Sequence, residues 1–207
     1  MCGRYTLTRT GDQLVETFGV PPLSFVHEPR FNIAPGQDVP ILAQDRKGRR
    51  LGPLTWGFVP AWQREPAAGF INARAEGLTR KRSFREAAER RRCLVPADGF
   101  YEWRKDEGRK TPFWFHQEDL GVFTMAGVWE GTTFAIVTTE AGDSVRDVHH
   151  RMPLVVEPGD RQAWLDRETT MEDVEALLAR TRTWTRRQVA SKVGSPANDG
   201  PDLIEPV

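Results

Sequence analysis

Between residues 93 and 156 the chain reads as one strand after another, and this stretch restricts its fold more than any other feature. Residues 112–116, 122–129, 132–139 and 152–156 are short runs of apolar and β-prone side chains divided by turn residues. Cys93-Leu94-Val95-Pro96 leads into a further strand ending near Trp103. Residues 39–43 and 51–56 predict two more strands, joined by a charged hairpin around Lys47-Gly48, and residues 188–193 a last one. Helices are few and short. Residues 12–18 precede Gly19 as a C-terminal stop. Residues 83–90 carry Ser83 as N-cap with Glu86 three positions on, a capping-box pattern. Residues 158–165 and 171–180 follow, while 25–37 read as irregular and Pro-rich. Strands that outnumber helices and mix with them irregularly predict an α+β fold. The expectation is a single domain over residues 1–207, of mixed, mostly antiparallel β-sheets, barrel-like, with short flanking helices.

Of the 207 residues 39% are hydrophobic and 28% charged, the balance of an ordinary globular chain with enough length for a proper core. No run approaches the ~20 apolar residues of a membrane span, and the start lacks the basic-then-apolar pattern of a secretion signal. Two cysteines, Cys2 and Cys93, are too few for a disulfide framework and point to a reducing cytoplasm. No Cys-x-x-Cys or His-x-x-x-His spacing supports a metal site, and neither metal nor cofactor is expected.

Cys2 follows Met1 directly. Without Met1, it carries a free α-amine and a thiol two carbons apart on one residue. An unperturbed α-amine titrates at about 7.7–8.0 and a thiol at about 8.5, so both are reachable near neutrality. Such a 1,2-aminothiol condenses with an aldehyde to an imine, which the thiolate closes to a five-membered thiazolidine. No internal cysteine has that option.

Net charge is zero, yet residues 74–92 hold eight basic side chains (Arg74, Arg80, Lys81, Arg82, Arg85, Arg90, Arg91, Arg92) against Glu76, Glu86 and Glu89. A local excess of about +5 suits phosphates while the rest of the chain stays neutral. Four segments are too polar or too specific for their surroundings. Asn72 and Arg74, two apart on an extended stretch, point the same way, to hold a phosphate or orient a nucleophile. Glu102 sits among aromatics in Gly99-Phe100-Tyr101-Glu102-Trp103, where desolvation raises a carboxyl toward proton-transfer range. His149-His150-Arg151 places two imidazoles and a cation just before a strand, and Cys2 and Arg4 are expected to share the first strand. Together these supply nucleophile, orienting amide, acid/base, imidazole and phosphate-binding arginine.

These motifs resemble the SOS response-associated peptidase family. The resemblance rests on Met1-Cys2-Gly3-Arg4-Tyr5, Phe31-Asn32-Ile33-Ala34-Pro35, Trp56-Gly57-Phe58-Val59-Pro60, Asn72-Ala73-Arg74-Ala75-Glu76, the run from Cys93 to Trp103, His149-His150-Arg151-Met152-Pro153, and the tail from Asn198 to Val207. It implies a sensor and shield for abasic sites in single-stranded DNA. Met1 is removed, by self-processing in that reading, and Cys2 attacks the ring-opened sugar aldehyde to leave a thiazolidine crosslink. Asn72 positions the amine or the sugar, Glu102 is the acid/base for imine formation and reversal, and His149 protonates the sugar ring oxygen. His150 occupies a variable place in the family's pattern and receives no catalytic role. Arg4, Arg74, Arg82 and Arg151 are expected at phosphates, with Thr138 adding a hydroxyl. Trp56 is expected in the core, and Trp62 against DNA bases. A monomer acting in the cytoplasm, at the nucleoid when bound to DNA, follows.

Two other readings compete. A cysteine peptidase acting on proteins would use Cys2 and His149 with Glu102 or Asn72. A non-covalent single-strand binder would use residues 74–92 and the tryptophans, leaving Cys2 dispensable.

Overall fold

Alternating side chains in the middle of the chain fold into two-residue hairpins and antiparallel ladders. The computed structural model describes residues 2–63, 69–178 and 182–207. In chain order its elements are β1 (Tyr5–Leu7), α1 (Gly11–Phe18), β2 (Arg30–Ile33), β3 (Asp38–Asp45), β4 (Gly48–Trp56), β5 (Asn72–Arg74), α2 (Arg85–Arg90), β6 (Arg92–Ala97), β7 (Gly99–Asp106), β8 (Arg109–His116), β9 (Phe123–Glu130), β10 (Thr133–Glu140), α3 (Asp143–Arg146), β11 (Arg151–Pro153), α4 (Arg161–Leu165), α5 (Met171–Leu178) and β12 (Thr185–Gln188). The α+β class read from the sequence is what the chain adopts. One sheet has the order β12-β8-β7-β1-β2. In the other, β10, β4, β3, β6 and β9 close a ring back to β10, with β5 and β11 also paired to β10. The ring is not a continuous barrel, since β3 meets β6 through the single pair Leu42–Leu94. Among the described residues, only the β10–β4 and β10–β5 pairings are parallel.

The site depends on two local devices. The β7–β8 hairpin turns at Glu107 and Gly108, both at positive φ (44° and 83°), the type I′ geometry whose twist matches its strands. At the other end of β7, Gly99 lies against the Trp114 indole, where a Cβ would stand 2.1 Å from Nε1. Gly99→Ala is therefore expected to destabilise the protein by about 1–3 kcal/mol, through forced displacement of a packed ring. Thermal unfolding checks this, and an unchanged midpoint contradicts it.

The ring encloses the main core. Trp56 and Trp164 are fully buried, and the Trp164 indole N–H donates to the Cys93 carbonyl at 2.8 Å. Arg92, the last of the basic run, is not part of a cationic face. It is buried and donates to the carbonyls of Trp164, Ala88, Glu89 and Asp166. Arg91 pairs with Glu86 and Glu130.

Several local expectations need correction. Cys2 and Arg4 precede β1 instead of sharing it. Ser83 does not cap α2: the N-cap is Phe84, which makes no side-chain cap bond and packs on Phe58 and Phe70 at 5.3 and 5.5 Å. β2 lies inside the stretch read as irregular. The last strand is Thr185–Gln188, and Ser191–Gly194 is a 3-10 turn whose Val193 enters a second apolar cluster with Tyr101, Trp114 and Leu203. Residues 179 and 180 of the last predicted helix lie outside the described residues, as does Met1. No helix among the described residues is long and apolar enough to cross a membrane.

Candidate active site

Cys2 is fully buried just ahead of β1, and the Arg4 backbone N–H donates to its sulfur. Burial pushes the thiol well above its ordinary value, and the nearby Glu102 carboxyl adds to the effect. Glu102 projects from β7, where β1 on one side and β8 on the other leave it only 3% exposed. Burial lifts it to about 7. His149 stands opposite, its Nδ1 3.8 Å from Glu102 Oε1. Burial lowers this imidazole to about 4. Although the spacing falls within ion-pair reach, at neutral pH the imidazole is uncharged and the carboxyl half-protonated. The contact is therefore not a salt bridge between two full charges. His149 Nδ1 stands between two backbone groups of Arg151, 3.0 Å from its N–H and 3.1 Å from its carbonyl oxygen, so the ring tautomer sets which of the two it bonds.

β10 organises the second group. Asn72 and Arg74 on β5 lie in register with Ile136 and Thr138. Both polar atoms of the Asn72 amide are buried without a hydrogen-bond partner among the described residues. Arg151, nearly buried, forms a bidentate pair with Glu76 at 2.6 and 3.0 Å and donates to the Thr138 carbonyl at 2.5 Å. Hydrogen bonding to this guanidinium holds Glu76 below the usual carboxylate range. The Thr138 side chain is buried. Arg74 is exposed at the rim of a cavity of about 400 Å³ that Arg151 also lines.

Arg4 is tied down from the far end of the chain. It donates to Asn32 Oδ1 at 2.8 Å and to the Val193 and Gly194 carbonyls at 2.7 and 3.0 Å. Gly194 in turn lines a cavity of about 340 Å³ with Glu102, Trp103, Lys105, Lys110 and His149. Trp62 is 51% exposed with the Arg82 guanidinium 5.2 Å above its ring, whereas Trp56 is core. The structure thus brings Cys2, Glu102 and His149 together, aligns Asn72, Arg74, Thr138 and Arg151 along β10, and pairs Trp62 with Arg82. Trp103, Lys105 and Lys110 beside Glu102 were not read as site residues. Strand alternation does not carry the signal for them, since it sets residues 103 and 105 on the face opposite Glu102, and only the pairing of Lys105 with Lys110 across the hairpin links the two lysines.

Thiol, carboxyl and imidazole stand side by side, next to a cavity edged by Lys105 and Lys110, and are groups of the kind nucleophilic chemistry uses. Comparison with known proteins narrows the class. Residues 1–196 match the SOS response associated peptidase (SRAP) family, and the chain belongs to it. It is 35% identical over 222 residues to the abasic site processing protein YoqW of Bacillus subtilis, covering 99% of both chains. It is 30% identical over 224 residues to the abasic site processing protein YedK of Escherichia coli, covering 100% of both. A crystal structure of a protein from Bacteroides thetaiotaomicron shares the fold with a TM-score of 0.87 at 22% identity, over 100% of both chains.

Proposed function

We propose that this protein processes abasic sites in single-stranded DNA by crosslinking to them through Cys2, once Met1 has been removed by the protein's own peptidase activity. The α-amine condenses with the ring-opened sugar aldehyde to an imine, releasing one water. The thiol then adds to the imine carbon and its proton passes to the nitrogen, leaving a thiazolidine that shields the lesion.

One observation carries this reading: a buried thiol beside a buried carboxyl, itself 3.8 Å from an imidazole. Glu102 exchanges a proton in either direction at neutral pH, as imine formation and its reversal, including any lyase step, both require. His149 offers a ring N–H to the sugar ring oxygen during opening. The buried Asn72 amide holds the amine or the sugar. Arg74 and Arg82 meet the strand with Trp62 as a stacking surface, while Arg4, held by Asn32 and the Val193 and Gly194 carbonyls, supports the bed beneath together with Arg151 and Thr138. Glu76 neutralises part of the Arg151 charge, so Arg74 is the stronger phosphate contact of the two. Both cysteines are free thiols, in keeping with work in a reducing compartment.

Intact-mass measurement with an abasic single strand tests the reading. The expected shifts are loss of one methionine, then gain of one oligonucleotide less one water. Equal mass gain on an intact strand, or none on the abasic one, overturns it.

A further inference from the structure

We propose that the Tyr5 hydroxyl is a positioning group for Cys2, donating a hydrogen bond to its sulfur as the thiolate closes on the imine. The inference rests on the thiazolidine reading above and adds to it a residue that reading leaves idle.

Tyr5 is fully buried, and its hydroxyl has no hydrogen-bond partner among the described residues. Such a group costs stability, which a phenylalanine in the same space would avoid. The ring cannot swing away to find a partner. β1 holds its backbone between β2 and β7, with Tyr5 paired to Ile33 on one side and Phe100 on the other. The ring meets Trp56 edge-on at 5.3 Å, and the Trp56 indole N–H is itself fixed to the Ile71 carbonyl at 2.8 Å. Only the O–H rotor is left to choose an acceptor. Strand alternation sets the face on which it chooses. Directly paired residues project to one side of a sheet, so Tyr5 shares a face with Phe100 and, two residues on, with Glu102. Glu102 acts on the buried Cys2 thiol, and a charge on that thiol is felt in turn at the phenol. Arg30 on β2 is the other charge felt there. Burial keeps the phenol protonated, and so a donor, at any working pH.

The sulfur has need of such a donor. The Arg4 backbone N–H supplies one hydrogen bond to it, but a thiolate formed out of water beside the Glu102 carboxyl is poorly stabilised by one. In ring closure the thiol gives up its proton, a sulfur lone pair forms the C–S bond, and the imine π pair moves to nitrogen, which ends with that proton. Tyr5 keeps its own proton throughout. Each tenfold gain in thiolate costs only about threefold in nucleophilicity, so a donor aimed at a scarce thiolate speeds the step.

Single-turnover adduct formation on an abasic single strand, quenched with and without borohydride, tests the role. Borohydride traps the imine and not the thiazolidine, so it separates the chemistry of the amine from that of the sulfur. Tyr5→Phe is expected to slow closure about 3- to 15-fold while the imine forms at the wild-type rate, which raises the borohydride-dependent fraction. The DNA concentration giving half the maximal rate should not move. In a Cys2→Ala background the same change should alter nothing. Thermal unfolding should place Tyr5→Phe at or above the wild type, since no hydrogen bond is lost. Wild-type closure in Tyr5→Phe would overturn the role of Tyr5 alone, as would equal slowing of imine formation and closure, or an effect that persists without Cys2. A lower unfolding midpoint with unchanged closure would also overturn it, by making the hydroxyl a structural bond. A wild-type protein that binds the strand yet forms no heat-stable adduct would overturn the thiazolidine reading itself, an outcome seen without any Tyr5 variant.

Discussion

The Cys2→Ala protein is expected to form no heat-stable adduct with an abasic single strand under conditions where the wild type reacts to completion. The reason is chemical. An α-amine without its thiol still condenses with the aldehyde, but the imine hydrolyses, because no second nucleophile closes the ring. Borohydride should therefore trap a link in Cys2→Ala, whereas the wild-type link needs no reductant. Replacing a fully buried cysteine by alanine removes one sulfur from the packing, a change of about 1 kcal/mol that leaves the fold in place. A denaturing gel with and without borohydride decides the matter. A crosslink in Cys2→Ala that survives heating without reductant would remove Cys2 from the mechanism, and unchanged retention on intact strands would favour a non-covalent binder.

Glu102→Gln should cost about 10²- to 10⁴-fold in the rate of adduct formation, the usual weight of a positioned acid/base. It should also remove the inflection near pH 7 from the rate profile. The same change has an opposite effect on stability. The folded carboxyl titrates at about 7 against an ordinary 4.5, so the native state binds its proton more tightly than the unfolded chain does. Below pH ~4.5 both forms are protonated and nothing is lost. As pH climbs from 4.5 to 7 the unfolded chain ionises first, and stability falls by an amount on the order of 3 kcal/mol before levelling off. His149 works in the other direction: lowered from 6.5 to about 4, it loses stability as pH falls through that interval. Glutamine has no charge to bury. The Glu102→Gln protein is thus expected to be more stable than wild type at pH 8 and to differ little at pH 4.5. Urea unfolding at the two pH values checks the sign, and a less stable variant at pH 8 would mean the native carboxylate is held by favourable bonds.

How far the sequence announces this structure varies with the kind of force at work. α1 is legible because its ends are local: Thr10 and Gln13 form a capping box, and Gly19 closes the helix in the left-handed conformation. The β3–β4 hairpin is legible for the same reason. The false cap at Ser83 arises because tertiary packing prevails over a local signal, with Phe84 drawn onto Phe58 and Phe70. β12 is hidden for a different reason. Thr185–Gln188 is polar and mostly exposed at a sheet edge, while the more apolar Val189 and Val193 serve a separate cluster as a turn. In the site, residue types near Cys2, Glu102 and His149 are suggestive from chain order alone. Their proximity is not, since Glu102 and His149 are 47 positions apart and lie on different sheets or their connections. Nor does composition separate Arg92, an internal tie to four carbonyls, from Arg74 and Arg82, which face solvent.

The clasp on Arg4 bears on the order of events during synthesis. Arg4 and Asn32 are both fastened to the Val193 carbonyl, and Asn32 reaches further to those of Ser195 and Asn198. The segment bearing Cys2 leaves the ribosome long before its full set of anchors exists, since residue 198 must first be added. A nascent chain therefore carries an unclasped cysteine throughout its elongation. Arg4 is thus made well before it is secured, and the segment that holds Cys2 settles only once residues 193–198 have been added.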